Sequence, residues 1–456
     1  MVNKVKLGEL LTTLTDYHAN GAYKKLKENV ELLDEPNFAV MIRTTNFEQE
    51  DFTTNLKYIS EHAYEFLAKS KVQPNDIIMN KIANAGSSYL MPDLGVPVSL
   101  AMNLFLLRVD PSKANPIYIY LYLKINEAYV KSFANGSVTK TITKDAVRNL
   151  EIDLPDRATQ DFLVEQFTCL NNKITLNRQI NQTLEQMAQT LFKSWFVDFD
   201  PVIDNAQDAG NPIPDELQHR AEARKAVRES EGFKPLPNDV RQLFPDAFEE
   251  SELGWVPKGW VVSNVGSEFD VTMGQSPPGS TYNEQGVGKP FFQGKTDFGF
   301  RYPTNRIFCT EPKRLAEKAD TLISVRAPVG DINLAAENCA IGRGLAAARH
   351  KSGSPSFTYY AMNNLSKHFE VFEGEGTVFG SINQKDFKAL PQVKVTTDVI
   401  AKFDEYCSVW DKKIEVVSEQ IGNLTKLRDT LLPKLISGEL RLDDVETAVE
   451  QETVGA

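Results

Sequence analysis

The chain has 456 residues, with 50 basic and 62 acidic side chains, a formal charge of −12, five histidines and four cysteines. At about 150 residues per domain, this length suggests roughly three units, none too small to bury a core. With 41% apolar and 25% charged residues, the composition excludes a mostly disordered or fibrous protein.

Residues 1–156 mix short β-rich runs with turns and read as a first globular block; one such run is Ile117-Tyr118-Ile119-Tyr120. Residues 157–197 carry apolar side chains at Leu163, Phe167, Leu170 and Ile174, then Leu184, Leu191 and Trp195, the pattern of one long helix. Residues 198–252 are rich in Asp, Glu and Pro and read as an acidic linker. Residues 253–395 form a second block, with a turn at Pro277-Pro278-Gly279 and a strand over Thr321–Val325. In 396–437 the apolar positions are Phe403, Cys407, Trp410, Ile414, Val417, Ile421, Leu424, Leu431 and Leu435. Residues 438–456 read as a flexible acidic tail.

An internal repeat organises these elements. Gly136-Ser137-Val138 through Ile142 matches Gly376-Thr377-Val378 through Ile382 at an offset of 240. The same offset pairs Val147 with Phe387, Leu150 with Leu390, Lys173-Ile174 with Lys413-Ile414, and Thr190-Leu191 with Thr430-Leu431. Upstream it drifts as loop insertions would make it: Asp76 pairs with Asp320, and Thr45-Asn46-Phe47 with Thr296-Asp297-Phe298. Weak matches in a common order mark a duplicated unit.

Apolar steps alternating four and three are the seam of a coiled coil. Asn177 and Asn181 interrupt the first seam and Arg428 the second; such polar positions fix register. The fold class expected is therefore α/β (α+β): two globular blocks joined by an antiparallel two-helix coiled coil, with a pseudo-two-fold repeat. Antiparallel pairing would send the blocks to opposite ends of a rod. Forty residues at 1.5 Å each give about 60 Å, against about 34 Å for a DNA turn, so the rod would act as a ruler.

Catalytic motifs fail on inspection. Gly294-Lys295-Thr296 imitates a phosphate loop, but position 289 is lysine where a glycine is required. Phe372-Glu373-Gly374-Glu375-Gly376 resembles a methyltransferase glycine turn, and Asn115-Pro116-Ile117-Tyr118 a methyltransferase catalytic turn without its second proline. The histidines have no metal-binding spacing, and Asp246, Glu249 and Glu250 read as a solvated acidic face. Cys169, Cys309, Cys339 and Cys407 lie far apart with no CxxC pair, and Met1–Lys6 leads into no apolar signal core. Ile117 to Leu123, the longest strongly apolar stretch, falls far short of the ~20 residues that span a bilayer. A cytoplasmic, reduced, metal-free chain without membrane contact is expected.

What remains is binding chemistry. Lys and Arg contact phosphates, and Arg, Lys, Asn and Gln read base edges. Candidates in the first block are Lys24, Lys25, Lys27, Arg43 and Lys81; in the second they are Gln293, Lys295, Arg301, Arg306, Arg326 and Arg343, interleaved with Phe298, Phe300 and Tyr302. Arg326 and Arg343 sit in apolar sequence and can equally be expected to hold the fold. By segment the net charge is −1 over 1–157, −2 over 158–200, −6 over 201–257, +3 over 258–397 and −6 over 398–456. The acid lies outside the blocks, so a polyanionic partner is not excluded.

Two divergent blocks, each followed by a long helix, resemble the specificity subunit of type I restriction–modification enzymes. Leu191–Phe199, Leu253–Trp260, Ile323–Gly330 and Leu431–Gly438 are strings similar to that family. The first block is the more divergent, with Asn80-Lys81-Ile82-Ala83 where the second has Ser324-Val325-Arg326-Ala327. The resemblance implies that each block reads half of a bipartite double-stranded DNA target. It implies two modification subunits carrying S-adenosylmethionine, and restriction subunits using ATP and Mg, with no cofactor and no catalytic residue on this chain. Two other classes stay open: a single-chain DNA adenine methyltransferase built on Phe372–Gly376 and Asn115–Tyr118, and a protein-only scaffold. Blocks of −1 and +3 are not basic enough to bind DNA strongly, so tight binding is expected only with partners.

Overall fold

A long amphipathic helix gains most of its stability from what covers its apolar stripe. A computed structural model of the chain contains two such helices, Arg157–Phe196 and Thr397–Ile436, each of 40 residues and 240 positions apart. The structure describes residues 3–136, 139–326, 328–366, 368–369, 372, 380–436 and 439. Two compact units emerge: one combines 1–176 with 420–456, the other comprises 177–419. Each long helix thus gives one half to each unit.

In the first unit Leu163 and Ile436 share a core, and Arg428 Nη1 donates to Asn171 Oδ1 at 2.7 Å. In the second, Asn181 Nδ2 donates to Ser418 Oγ at 2.9 Å and the Phe192 and Phe403 rings lie 5.8 Å apart. Later residues of one helix meet earlier residues of the other in both units, which is antiparallel pairing. Leu163, Ile174, Phe403, Ile414 and Val417 are buried, while Phe167, Leu170, Leu184, Leu191, Trp410, Ile421, Leu424 and Leu431 are half-buried. Asn177 and Asn181 are buried in the same stripe.

Each unit is built on the same plan. The first has a four-stranded antiparallel sheet in the order Leu11–Asp16, Leu104–Val109, Ile77–Asn80, Ser88–Leu90. A mixed sheet follows the order Tyr58–Ile59, Ala39–Ile42, Val98–Leu100, Lys71–Val72, with its middle pair parallel. The second unit repeats both. Its antiparallel sheet runs Phe269–Met273, Leu345–His350, Thr321–Val325, Val329–Leu334. Its mixed sheet runs Tyr282–Asn283, Phe308–Cys309, Lys289–Phe292, Cys339–Ile341, Leu315–Ala316, again with one parallel pair. Mainly antiparallel sheets with helices packed beside them, rather than strands alternating with crossover helices in a parallel sheet, make an α+β arrangement.

The duplication extends to single bonds. Leu7 N donates to Leu150 O at 2.8 Å, and Val265 N to Leu390 O at 2.9 Å. A side chain on Gly8 would meet Arg148 Cβ at 3.0 Å, and one on Gly266 would meet Lys388 Cβ at 3.0 Å. Arg108 Nε donates to Asp76 Oδ1 at 2.8 Å, and Arg349 Nε to Asp320 Oδ1 at 2.8 Å. Those carboxylates each also accept a backbone N–H three residues upstream, from Gln73 at 2.7 Å and from Glu317 at 2.8 Å.

Two expectations are corrected. Ile117–Tyr120 is not a strand but part of the helix Pro116–Ile125. Asn115 Oδ1 caps it, accepting from Ile117 N at 3.0 Å and Tyr118 N at 3.4 Å, while Pro116 occupies the first turn. A good cap and a pre-set φ outweigh the strand preference of Ile and Tyr. The stretch 198–252 is folded rather than a plain linker. It holds the helices Asp200–Ala209 and Gln218–Arg228, and Val202, Val240 and Phe244 join the core around Trp195 and Trp260. Two of its acidic residues are paired within it: Arg224 holds Asp204 at 2.7 Å, and Arg228 and Arg241 hold Asp208 at 2.6 and 2.7 Å. The tail 438–456, apart from Glu439, lies outside the described residues.

Arg301 is corrected as well, from a surface candidate to a buried tie. It is 1% exposed. Its Nη2 bonds the Glu185 carboxylate and donates to Tyr360 Oη at 2.7 Å, its Nη1 lies 3.2 Å from Asp411 Oδ1, and its guanidinium stacks 4.0 Å from the Tyr359 ring centroid. Burial opposes the charge, but Tyr359, Tyr360, Asp411 and Glu185 outweigh it and hold the guanidinium above its usual value. The connection between Lys289–Phe292 and Phe308–Cys309 is thereby fastened to both long helices of the second unit. Arg301→Ala strands two buried carboxylates and should cost about 3–5 kcal/mol, read as a lowered denaturation midpoint by circular dichroism.

Candidate nucleic-acid interface

In each unit one short segment passes from the mixed sheet to the antiparallel sheet. In the second unit it is Gly342-Arg343-Gly344, between Cys339–Ile341 and Leu345–His350. Gly342 N donates to Phe292 O at 2.8 Å, Gly344 N to Gln293 O at 3.1 Å, and Val325 N to Gly344 O at 2.9 Å. Three strand ends therefore converge, bringing Gln293, Arg326 and Arg343 to one corner. Glycine is required there: a Cβ on Gly344 would lie 2.3 Å from Gln293 O, and one on Gly342 would lie 2.9 Å from Gln293 Cα. The close approach leaves Gln293, Arg326 and Arg343 exposed. Their surroundings are therefore not the packed interior that the flanking apolar sequence suggests for Arg326 and Arg343. No carboxylate among the described residues pairs with either arginine. Two exposed guanidinium groups and an amide are the donor set that suits phosphates and base edges.

The other candidates of this unit lie differently. Lys295 reaches Asp331 at 2.7 Å and Arg306 reaches Asp297 at 2.9 Å, both on the surface. Such pairs are weak and leave charge that a phosphate can recruit. Phe298 packs on a core, and Phe300 is exposed.

In the first unit the equivalent crossing is Ala101-Met102-Asn103, between Val98–Leu100 and Leu104–Val109. Ala101 N donates to Ile42 O at 3.0 Å and Lys81 N to Asn103 O at 2.8 Å, repeating the bonds of Gly342 and Val325. Arg43 stands where the second unit has Gln293; it is half-buried, with Nη2 donating to Asn55 O at 2.6 Å. Lys81 is half-buried beside Asp16, at 3.1 Å, which Lys144 also holds at 2.9 Å. Burial raises the Asp16 carboxyl, but Lys144 and Lys81 outweigh it and keep it below its usual value. Lys24, Lys25 and Lys27 are exposed on the helix Tyr23–Asn29, which anchors through Leu26. Met102 and Asn103, both exposed at this corner, were not singled out from the sequence. A single methionine or asparagine carries no motif, and only the register of the duplicated sheets reveals them.

The imitated enzyme motifs find structural uses. Asn115 is spent as a helix cap and its amide donates to Asp161 Oδ1 at 2.7 Å, while Tyr118 is buried with its hydroxyl on Asp153 O at 2.7 Å. Of the glycine turn at 372–376, all but Phe372 lies outside the described residues. Among the described residues no group of three or more His, Cys, Asp or Glu could hold a metal, and no helix is long and apolar enough to cross a membrane.

Residues 2–186 match the family model described as the type I restriction modification DNA specificity domain. The chain is 28% identical over 409 residues to a putative type I restriction enzyme specificity subunit of Methanocaldococcus jannaschii, covering 85% of this chain and 84% of that one. It is 27% identical over 421 residues to the specificity subunit of a Haemophilus influenzae type I restriction enzyme, covering 82% and 88%. Its fold is similar to the type I restriction–modification S subunit of M. genitalium, at TM-score 0.57 and 15% identity over 95% and 96% of the two chains. Arginine-selective modification with phenylglyoxal, read by mass spectrometry on the native chain, should label Arg326 and Arg343 rapidly and leave Arg301 protected until denaturation.

Proposed function

Because residues 2–186 match a type I DNA specificity domain and the chain is 28% and 27% identical to two type I specificity subunits over most of its length, we propose that it is such a subunit and that each unit reads one half of a bipartite double-stranded DNA target. The observation that carries this is the duplication: two units with matching sheet orders, the second adding one edge strand (Tyr282–Asn283) to its mixed sheet, and with shared anchoring bonds present different side chains at equivalent corners. A repeated scaffold with distinct contact surfaces suits two unlike half-sites. The chain acts by recognition, not by chemistry. Base-edge contacts from the corners would specify, and phosphate contacts from Lys24, Lys25, Lys27, Lys81, Lys295 and Arg306 would position.

The long helices are proposed to set the spacer and to hold two modification subunits, which would supply S-adenosylmethionine and the methyl transfer; restriction subunits, with ATP and Mg, would join the assembly. A second apolar stripe supports the helical contact. Cys169, Leu176 and Met187 are exposed on the first helix and Val409, Val416 and Leu427 on the second. Both sets are spaced by seven and eleven residues, which keeps them on one side of a 3.6-residue helix, and they correspond pairwise at 240 residues. A stripe written twice suits two copies of one partner.

Two outcomes test this. Leu176→Asp combined with Val416→Asp should reduce co-purified modification subunit at least tenfold while the melting temperature of the chain alone stays within 2–3 °C of the parent, since exposed sites tolerate such changes. Inserting one helical turn in both long helices should change the preferred spacer and leave both half-sites intact, read by mapping methylated positions in cellular DNA. Altered half-sites with an unchanged spacer would refute this division of labour.

A further inference from the structure

The two corners can be compared position by position because their backbone bonds coincide. The scaffold keeps like with like: Asp76 and Arg108 answer Asp320 and Arg349, and Gly8 answers Gly266. At the crossing this agreement stops. Arg43 faces Gln293 as its counterpart, Ile82 faces Arg326, and Met102-Asn103 faces Arg343-Gly344. The pairing of Ile82 with Arg326 is fixed independently, since Ile82 bridges Thr141 and Arg326 bridges Ser381. Asn103 has φ of 68°, a left-handed conformation that asparagine accepts more readily than most residues. The second unit has no space for that side chain, given the 2.3 Å approach to Gln293 O. Two anchoring backbone bonds are thus shared, while the backbone at Asn103 and Gly344 and the chemistry offered above it differ.

We propose that these crossings are the reading heads of the two half-sites, with Met102 and Asn103 as specificity-determining residues of the first and Arg343 of the second. The inference rests on the reading of each unit as a half-site reader. Its content is the class of base each head takes. Arg343, exposed and without a carboxylate partner among the described residues, has the fork that pairs with guanine O6 and N7 in the major groove. Met102 is 48% exposed, has no donor to offer a base and is suited to the methyl group of thymine; the amide of Asn103 is suited to adenine. The first half-site should therefore be A·T-rich at its core and the second should contain guanine.

The test uses the full chain in its assembled complex, selecting from a randomised duplex library that is then sequenced. Met102→Arg should bring guanine into the first half of the selected motif and leave the second half and the spacer unchanged. Arg343→Met should weaken the guanine preference in the second half by about tenfold to a hundredfold, again without touching the other half. Met102→Leu, which keeps an apolar contact, should keep the parental motif. If the parental complex selects no bipartite motif, the reading of the units as half-site readers fails. If it selects one, and the Arg and Met variants retain it, alter the wrong half or enrich nothing, the assignment of the reading heads is overturned.

Discussion

Antiparallel pairing of the two 40-residue helices is the constraint on which the rest of the molecule depends. Neither helix belongs to one unit; each supplies half of its seam to either core. In the first unit the seam closes against the helix Pro116–Ile125, with Asn115 donating to Asp161 on the long helix. In the second it closes against Pro355–Asn364, whose N-cap Ser354 bonds Asp404. Both contacts place a capping residue of the block on a carboxylate of the helix beside it. Burying Asn177 and Asn181 in such a seam lowers its stability but penalises slipped registers. A shifted register would also pull Glu185 and Asp411 away from Arg301, leaving a buried guanidinium without its counter-charges. Register is therefore held twice, by amides in the seam and by a charge cluster beside it.

Duplication explains which features repeat and which do not. Bonds that close the backbone, such as the arginine–aspartate pairs at Asp76 and Asp320, recur because the same sheet must form twice. The tie to the helices does not recur in the same form. Asp411 receives Arg301 from the block, whereas its counterpart Asn171 receives Arg428 from the facing helix. A charge brought from the block fastens that block to the helices, and one brought from the helix fastens only the seam. Similar folds thus differ in how firmly the recognition surface is anchored to its support.

Much of this architecture was legible in the sequence because it depends on local periodicity. The four-three stepping, the 240-residue offset and the strand at Thr321–Val325 all follow from side-chain spacing. The helix at Ile117–Tyr120 was hidden because its decisive residue, Asn115, lies outside the run it caps. The fold of 198–252 was hidden because its stability comes from pairs such as Asp204 with Arg224, twenty residues apart, which a charge count reads only as excess acid. Arg301 and Arg343 look alike in sequence, each a lone arginine among apolar and glycine residues. Only the tertiary setting separates them: one meets two carboxylates inside, the other emerges between two glycines that press against a neighbouring strand. Met102 and Asn103 carry no sequence signal at all.

The negative charge of the chain acquires a physical sense from this placement. In 198–252, Asp204 and Asp208 are held by Arg224, Arg228 and Arg241, while Glu222, Glu229, Glu231, Asp246 and Glu252 stay exposed to solvent. Acid on the long helices, Glu185 and Asp411 among it, is partly committed to the buried guanidinium. Among the described residues no carboxylate pairs with Arg326 or Arg343, and the other cations near the second corner are held only at the surface. If these few donors meet DNA as proposed, they would release few counterions from nearly neutral blocks, giving weak non-specific affinity and a shallow salt dependence. On the proposed reading, selectivity would rest on the fit of those few groups to base edges, and the bulk of the binding energy would have to come from partner subunits. A protein that held DNA tightly by charge alone would hold every sequence alike.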